Sequence, residues 1–310
     1  MGIILLFYKY ISIEYPKRLL KWQQKICTDL GLKGRIILGH EGINGTVGGS
    51  TENIQRYKTI MHAHELFTDI IFKESEGSAD HFPQLSIVVR DEIVRLGISP
   101  EIISAQNAGV HLKPSDSHNL ITSNPDDLLI LDARNKVESD VGAFEGAIKP
   151  PIKHFRELPA FIDAHKDIFK DKQVLMYCTG GIRCERASSY IKQITQAKEV
   201  YQMEGGIHSY VEQYPEGYFR GKNYVFDGRI AVRINADILG HCLLCNTSCD
   251  DYTNCINALC NKHFICCQAC MTNYNNTCSS ICQNLVIHKQ TTLRPPIKIE
   301  NAISNHSEKK

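Results

Sequence analysis

The sequence predicts a multidomain protein that combines an α+β domain with an α/β domain and ends in a cysteine-rich segment. Three observations lead to this fold class. The chain has 310 residues, which is long for one typical core. The predicted strands and helices follow one order in the first third of the chain and a different, alternating order in the middle. Ten of the 13 cysteines lie between Cys242 and Cys282. We predict an N-terminal domain, a linker, a central domain, a cysteine-rich segment and a disordered tail, over residues 1–103, 104–126, 127–220, 221–288 and 289–310.

The N-terminal domain has the predicted order βαββαβ, which is typical of acylphosphatase-like and ferredoxin-like sandwiches. Apolar periodicity and turn residues place its elements at residues 3–8, 16–30, 34–38, 43–47, 53–64 and 85–90. The dipeptide Asn44–Gly45 predicts a tight hairpin turn. The surrounding peptide Glu41–Thr46 is dense in glycine. It either serves turn geometry alone or contacts a substrate or partner beside the predicted catalytic loop of the next domain, residues 178–183.

Residues 104–126 are rich in Asn, Ser, Pro and His, and this composition predicts a linker. Strands and helices then alternate, which indicates a parallel sheet. The predicted strands cover residues 128–131, 174–177 and 199–202, and the helices cover 155–165 and 187–195. Ligands bind at the carboxyl ends of the strands in such sheets, where both Asp132 and Cys178 lie.

Cys178 follows the buried strand Val174–Tyr177 and precedes a glycine-containing loop and a helix. Backbone amides of such a loop, together with the positive end of the helix dipole, converge on the sulfur and favour its thiolate form. The pattern therefore predicts a catalytic nucleophile rather than a buried structural cysteine. The loop backbone that would bind the substrate belongs to Thr179, Gly180, Gly181 and Ile182.

Four residues separate Cys178 from Arg183, whereas cysteine phosphatases have five between the corresponding residues. The smaller ring suits the terminal sulfur of a persulfide and disfavours phosphatase activity. Arg183 either offsets negative charge at the site or bonds to loop carbonyl groups. Cys184 is either a resolving thiol or a residue that packs under the loop. For Asp132 and Arg134, a structural ion pair is favoured over a catalytic role.

The cysteine-rich segment is too polar to form an adequate core without staples, and its spacing favours zinc sites over free thiols or iron–sulfur ligation. Each CxxC peptide, called a knuckle here, is expected to share a site with the two ligand cysteines that follow it. This gives two groups: Cys242, Cys245, Cys255 and Cys260, and then Cys267, Cys270, Cys278 and Cys282. Spacing leaves four alternates open, namely Cys249, Cys266, His241 and His263.

Charge and hydropathy limit the partners and the cellular compartment that we expect for this protein. The 35 basic and 34 acidic residues nearly balance, so any RNA contact must come from local patches. We find no stretch long and apolar enough to span a bilayer and no signal-peptide pattern, and we expect a cytoplasmic protein. The sequence shows no motif for an organic cofactor and no sign of an obligate protein partner.

The peptides 131–135, 178–185 and 204–207 together resemble a rhodanese domain. With the peptides 41–46 and 226–229 and the cysteine segment, the chain more narrowly resembles the rhodanese-like tRNA uridine hydroxylases. The resemblance covers nearly the whole chain.

This resemblance implies oxygen-dependent 5-hydroxylation of uridine 34 in tRNA, with a persulfide on Cys178, Arg183 as anion partner and O2 as co-substrate. The expected partner is the tRNA anticodon arm. Candidate phosphate contacts are Lys17, Lys21, Arg220, Lys222 and Arg229. Two alternatives remain: a sulfurtransferase that passes sulfane sulfur from thiosulfate or a persulfide to a thiol, and a binding module with a vestigial loop.

Overall fold

The computed structural model describes residues 2–294, which divide into two units. One unit contains residues 2–136 and 146–217, and the other contains residues 137–145 and 218–294. No helix within the described residues has the length and apolar character of a membrane span. Most of the predicted disordered tail, residues 295–310, lies outside the described residues.

The N-terminal domain is a five-stranded sheet covered by two helices, and the predicted α+β class is confirmed. Its elements are β1 (Gly2–Tyr10), α1 (Pro16–Asp29), β2 (Lys33–Gly39), β3 (Gly42–Ser50), α2 (Thr51–His62), β4 (Phe72–Glu76) and β5 (Leu85–Val89). The strand order is β4-β1-β3-β2-β5, and β2–β5 is the parallel pair. The sequence prediction missed β4, a short polar strand at the sheet edge. Leu5 and Phe7 on one face of β1 are buried in the core.

The dipeptide Asn44–Gly45 lies inside β3, so the predicted hairpin turn at this place is wrong. The turn between β2 and β3 is at His40 and Glu41 instead. A Cβ at position 45 would overlap the ring of Phe7, which explains the glycine. The Asn44 side-chain amide donates a 2.9 Å hydrogen bond to the carbonyl oxygen of Ile93. Packing therefore accounts for a pair of residues that local turn statistics assign to a loop.

The central domain is built on a parallel sheet with the order β6-β10-β9-β7, as the alternating pattern predicted. The elements from residue 104 to 217 are β6 (Val110–Leu112), α3 (Pro114–Ser123), β7 (Leu128–Asp132), α4 (Lys136–Ser139), β8 (Gly142–Phe144), α5 (Leu158–Ala164), β9 (Gln173–Tyr177), α6 (Ile182–Ile194), β10 (Glu199–Met203) and α7 (Gly206–Gln213).

The segment predicted as a linker, residues 104–126, contains β6 and α3. β6 pairs with β10 in parallel, with Tyr201 opposite Val110. β6 is a short edge strand, and its Val110 is 55% exposed, so the strand has little apolar pattern of its own. Its position therefore depends on backbone pairing, which composition does not reveal.

The second unit contains the cysteine-rich segment. Its elements, besides β8, are β11 (Phe219–Tyr224), β12 (Ala231–Arg233), β13 (Tyr252–Asn254), β14 (His263–Ile265), α8 (Gln268–Asn273) and α9 (Ser280–Ile287). β11 lies between β8 and β12, and β13 pairs with β14 as an antiparallel hairpin. Much of the buried cluster consists of cysteine side chains, joined by Val141, Tyr252, Phe264 and Ile265.

Candidate active site and cysteine clusters

Cys178 directly follows β9, and the loop after it curls back over the sulfur. The backbone N–H of Gly181 donates to Cys178 Sγ at 3.1 Å. Gly181 has a φ of 102°, a left-handed conformation that favours glycine, and α6 begins at the next residue. The predicted succession of strand, loop and helix N-terminus is therefore present around this thiol.

The loop strongly acidifies the Cys178 thiol. Burial by itself raises its pKa, but four interactions outweigh this effect and lower the pKa to about 5. They are a hydrogen bond from the Cys184 thiol, the charge of Arg183, and the backbone N–H groups of Arg183 and Gly181. Cys178 is therefore a thiolate at neutral pH, as a nucleophile requires.

The start of α7, which follows β10, is hydrogen-bonded to the Cys178 loop. The backbone N–H groups of Ile207 and His208, in the first turn of α7, donate to the carbonyl oxygens of Cys178 and Thr179 at 2.9 and 3.1 Å. A Cβ on Gly206 would overlap the Cys178 carbonyl oxygen and lie 2.9 Å from the Gly181 nitrogen. Two consecutive segments of the sheet edge therefore approach each other so closely that only glycine fits between them.

Arg183 and Cys184 are both buried next to the thiolate. An Nη atom of Arg183 donates to Thr179 Oγ1 at 3.2 Å. Burial raises the pKa of Cys184, and the neighbouring Cys178 raises it further. Cys184 is therefore a neutral hydrogen-bond donor in this arrangement. Its further role as a resolving thiol stays a prediction.

Asp132 and Arg134 form the structural ion pair that the sequence favoured. Both side chains are fully buried, and Arg134 Nη2 lies 2.6 Å from Asp132 Oδ2. The hydroxyl of Tyr177 donates to the same carboxylate at 2.7 Å. This cluster fixes the ends of β7 and β9, and the loop that contains Cys178 follows directly from β9.

The outer face of β1 contacts the loop that follows Cys178, a relationship that sequence reasoning missed. Leu6, Tyr8 and Tyr10 alternate with core residues and so share one face of the strand. A Cβ on Gly180 would lie 2.8 Å from Leu6, and one on Gly181 would lie 2.8 Å from the Tyr8 hydroxyl oxygen. The signal in the sequence is this period-2 stripe of large side chains opposite the core face.

Hydrogen bonds reinforce the same contact. The Tyr10 hydroxyl donates to the carbonyl oxygen of Ile182 at 3.3 Å. The Tyr8 hydroxyl donates to Glu185 Oε1, which also lies 3.0 Å from His111 Nε2, while Gln202 donates to the other carboxylate oxygen at 3.1 Å. Glu185 thereby joins the first domain, β6 and β10 to the first turn of α6. The hydrogen bond to Glu185 raises the pKa of His111.

The Glu41–Thr46 peptide lies beside the central domain, and the side chains of Glu41 and Asn44 contact other parts of the same unit. Glu41 accepts the backbone N–H of Ile93 at 2.7 Å. Its other oxygen lies 3.8 Å from Nε of Arg186, a fully buried residue of α6. These contacts support a structural role for the peptide, and substrate contact by it stays a prediction.

The second unit contains two groups of four cysteines, and all eight predicted ligands belong to them. One group is Cys242, Cys245, Cys267 and Cys270, and the other is Cys255, Cys260, Cys278 and Cys282. The Sγ atoms within each group lie within 4.8 Å of one another. The predicted grouping, which combined Cys242 and Cys245 with Cys255 and Cys260, is therefore wrong.

The interleaved grouping follows from the β13–β14 hairpin. Because the hairpin reverses the chain, the backbone N–H of Leu243 reaches the carbonyl oxygen of Ile265 at 2.9 Å, which brings the two CxxC knuckles together. The N–H of Ile256 donates to Asn276 at 2.9 Å, which brings the second group together. The alternates Cys249, Cys266, His241 and His263 join neither group among the described residues.

Each group could hold a zinc ion. A Zn–S bond of about 2.3 Å places tetrahedral sulfur ligands about 3.8 Å apart. The distance between Sγ atoms is 3.6 Å for Cys245 and Cys267, 3.5 Å for Cys260 and Cys278, and 3.9 Å for Cys278 and Cys282. Four thiolates at this spacing fit a closed structural site.

The five candidate phosphate contacts differ in their environment. Lys222 lies 2.9 Å from Asp250 and 2.7 Å from Asp251, Arg229 lies 2.6 Å from Asp227, and Arg220 pairs with Glu145. A phosphate would have to compete with these carboxylates. Lys17 and Lys21 are exposed on α1 and have no ion-pair partner in the described part of the chain.

Three family models match successive parts of the chain. They are described as a UPF0176 acylphosphatase like domain, a Rhodanese-like domain and a Rhodanase C-terminal domain, and they match residues 2–93, 114–213 and 220–283. The acylphosphatase-like and rhodanese folds predicted from the sequence are confirmed.

Full-length relatives agree with these matches. A protein of Corynebacterium jeikeium named tRNA uridine(34) hydroxylase is 40% identical over 270 residues, which cover 84% of this chain and 87% of the relative. Proteins with the same name in Bacillus licheniformis and in Aster yellows witches'-broom phytoplasma are 40% and 39% identical; they are matched over 84% and 85% of this chain and over 82% and 86% of their own lengths. The chain belongs to the tRNA uridine(34) hydroxylase family.

Proposed function

We propose that this protein hydroxylates uridine 34 of tRNA to 5-hydroxyuridine, with molecular oxygen as co-substrate. The observation that carries the proposal is the thiolate of Cys178, whose pKa is lowered to about 5 in a family whose named members are tRNA uridine(34) hydroxylases. Replacing the C5 hydrogen by a hydroxyl group with O2 leaves the second oxygen atom as water. The reaction therefore consumes two electrons and two protons from a reductant.

In this proposal Cys178 carries a persulfide. The side chain of Cys178 is fully buried, so its Sγ atom is a poor point of contact for a nucleotide. An outer sulfur would stand about 2.05 Å beyond Sγ, a typical S–S bond length, and so bring the reactive atom outward. Arg183 and the amides of residues 179–182 would stabilise the negative charge on this sulfur pair.

The two cysteine groups would each bind a structural zinc ion in the proposed enzyme. Zinc binding would supply folding free energy to a unit whose buried cluster is mostly cysteine. The expected partner of the proposed enzyme is the anticodon arm of the tRNA. Lys17 and Lys21 are the candidate contacts that remain free of carboxylates among residues 2–294.

A sulfurtransferase remains the second candidate, because the same acidified thiolate suits transfer of sulfane sulfur to a thiol. The names of the relatives favour hydroxylation. The two functions separate in one assay: a sulfurtransferase moves sulfur from thiosulfate to cyanide at full rate without tRNA and does not bind tRNA.

The decisive experiment is nucleoside mass spectrometry of tRNA from a deletion strain that expresses either the wild-type chain or Cys178→Ser. We expect 5-hydroxyuridine to return with the wild type and to stay absent with the variant. Both proteins must accumulate equally. Restoration by Cys178→Ser would contradict the role of the thiolate, and absence of the nucleoside with the wild type would contradict the proposed function.

A further inference from the structure

An open groove of about 360 Å³ lies at the carboxyl edge of the parallel sheet, outside the catalytic loop. It is lined by Arg95, Asn135, His154, Phe155 and Arg156. Asn135 comes three residues after the end of β7. β7 pairs in parallel with β9, with Asp132 opposite Tyr177, so the groove and Cys178 share one edge of the sheet.

The groove is strongly basic. Arg95, His154 and Arg156 are all exposed, and none has an ion-pair partner in the part of the chain that the structure describes. The peptide 149–156, with the sequence KPPIKHFR, holds four basic residues and no acidic one. The guanidinium groups of Arg95 and Arg156 are therefore available to an external anion, in contrast to Arg220, Lys222 and Arg229.

The first wall of the groove is anchored to α6, the helix that follows the Cys178 loop. Arg186 of α6 pairs with Glu92. The Glu92 carboxylate in turn accepts the backbone N–H groups of Leu96 at 2.8 Å and of Gly97 at 3.0 Å. This network fixes the turn that carries Arg95. Its position is therefore set by a buried salt bridge and not by the solvent-exposed loop alone.

The second wall is fixed in a similar way. The Glu157 carboxylate accepts the backbone N–H of Lys153 at 2.9 Å, and the Glu157 N–H donates to the His154 carbonyl at 2.9 Å. Gly97 of the first wall has a φ of 86°, and a Cβ there would lie 3.4 Å from Cβ of Arg156. The two walls thus meet at Arg156, and both guanidinium groups belong to one preformed surface.

We propose that this groove binds the phosphodiester backbone of the RNA strand that presents the target uridine. The inference rests on the proposed function, because the ligand that reaches this sheet edge is then a polyanion. Guanidinium groups bind phosphate oxygens through paired hydrogen bonds, and the groove is larger than one phosphate needs. Arg95 and Arg156 supply the main contacts, and His154 adds a third donor.

The test is fluorescence anisotropy of a labelled anticodon stem-loop RNA with the full-length chain over a series of salt concentrations. For Arg95→Ala/Arg156→Ala we expect at least about tenfold weaker binding at moderate salt. A plot of the logarithm of the association constant against the logarithm of the salt concentration has a negative slope. The magnitude of this slope should decrease by about 1.5, since each of the two lost phosphate contacts contributes about 0.7–0.9. The pKa of Cys178 should stay unchanged, which controls for folding of the catalytic domain.

The matched control is Arg56→Ala/Lys170→Ala. It removes the same charge from two exposed residues, and Lys170 lies before the amino end of β9, at the opposite edge of the sheet. We expect less than about twofold change for it. An equal loss of RNA affinity in both double variants would indicate a non-specific effect of charge. It would contradict the proposal that the groove binds RNA.

A competition experiment distinguishes an RNA backbone from other anions as the ligand of the groove. Inorganic phosphate or polyglutamate that displaces the RNA from the wild type as effectively, per charge, as unlabelled RNA would overturn the assignment to an RNA backbone. Tight RNA binding that Arg95→Ala/Arg156→Ala does not weaken would overturn the groove while leaving the proposed function intact. Loss of RNA binding in this variant, together with a wild type that forms no 5-hydroxyuridine in cells, would support the groove and overturn the proposed function.

Discussion

The hydroxyl of Tyr8 donates a 3.0 Å hydrogen bond to the carboxylate of Glu185. The two residues are 177 positions apart in the sequence, and the bond joins the N-terminal domain to the central domain. Tyr8 lies on the first strand, and Glu185 lies in the first turn of the helix after the catalytic loop. Burial and the adjacent carboxylate raise the pKa of Tyr8, so the phenol stays protonated and donates. The first domain therefore helps to hold the loop that follows Cys178 in place.

Tyr8→Phe should destabilise the protein while leaving its fold intact. The change removes a largely buried hydrogen bond to a charged group, for which a loss of about 1.5–3 kcal/mol is typical. Thermal unfolding should show a melting temperature several degrees lower. Tyr15→Phe is the control, because Tyr15 is 62% exposed, and its melting temperature should equal that of the wild type. Equal melting temperatures for both variants would contradict the support role of Tyr8.

The alkylation rate of Cys178 should follow a thiolate with a pKa of about 5. Because the pKa is lowered, the reactive form is present above this pH and is lost as the pH falls through about 5. Iodoacetamide labelling measures the profile on protein first treated with a thiol reductant, which removes any persulfide sulfur from Cys178, and peptide mass spectrometry identifies the labelled site. Arg183→Gln should move the midpoint upward by about 1–3 pH units, since it removes the nearby positive charge. A midpoint near that of a free thiol in the wild type would remove the basis for a nucleophile.

Gly206→Ala should disrupt the loop that follows Cys178. The new Cβ would overlap the Cys178 carbonyl oxygen, and the backbone has a φ of 60°. Gly146→Ala isolates the conformational cost, because Gly146 has a φ of 70° and nothing within 4 Å of the added atom. We expect about 1–2 kcal/mol of destabilisation for Gly146→Ala and clearly more for Gly206→Ala.

Two measurements follow from this pair. Urea unfolding gives the free energies, and the alkylation profile shows whether Cys178 keeps its acidic pKa. Gly206→Ala should raise this pKa, whereas Gly146→Ala should leave it unchanged. Similar effects of both substitutions on the free energy of unfolding and on the pKa would show that the close approach of the two backbone segments is unimportant.

Zinc content should reveal which cysteines share a site. The protein should contain two zinc ions per chain if both groups bind metal. Cys245→Ser/Cys267→Ser changes one group only and should leave one ion, whereas Cys245→Ser/Cys255→Ser changes both groups and should leave none. The sequential grouping of the cysteines predicts the reverse result for these two variants. Inductively coupled plasma mass spectrometry on the purified proteins gives the stoichiometry.

Features that depend on neighbouring residues were predictable from the sequence. The strand before Cys178, its glycine loop and the following helix are consecutive, so one short peptide contains the geometry that lowers the pKa of the thiol. The eight cysteines of the two groups were predicted for the same reason, because CxxC spacing is a local property. The buried ion pair of Asp132 and Arg134 also lies within three residues.

Features that depend on pairing between distant segments were not predictable. The sequence named Asn44–Gly45 as a turn because turn statistics are local, whereas the ring of Phe7 from a neighbouring strand requires the glycine. The cysteine groups interleave because a hairpin reverses the chain between the two knuckles.

The sequence by itself determined the order of domains, the loop that acidifies the Cys178 thiol and the set of eight clustered cysteines, since each is encoded in adjacent residues. Only the tertiary structure decided which cysteines share a site, that Tyr8 supports the loop through Glu185, and that Arg95 and Arg156 meet in one groove. The physical reason is that packing and backbone pairing bring together residues whose separation along the chain carries no signal of their contact.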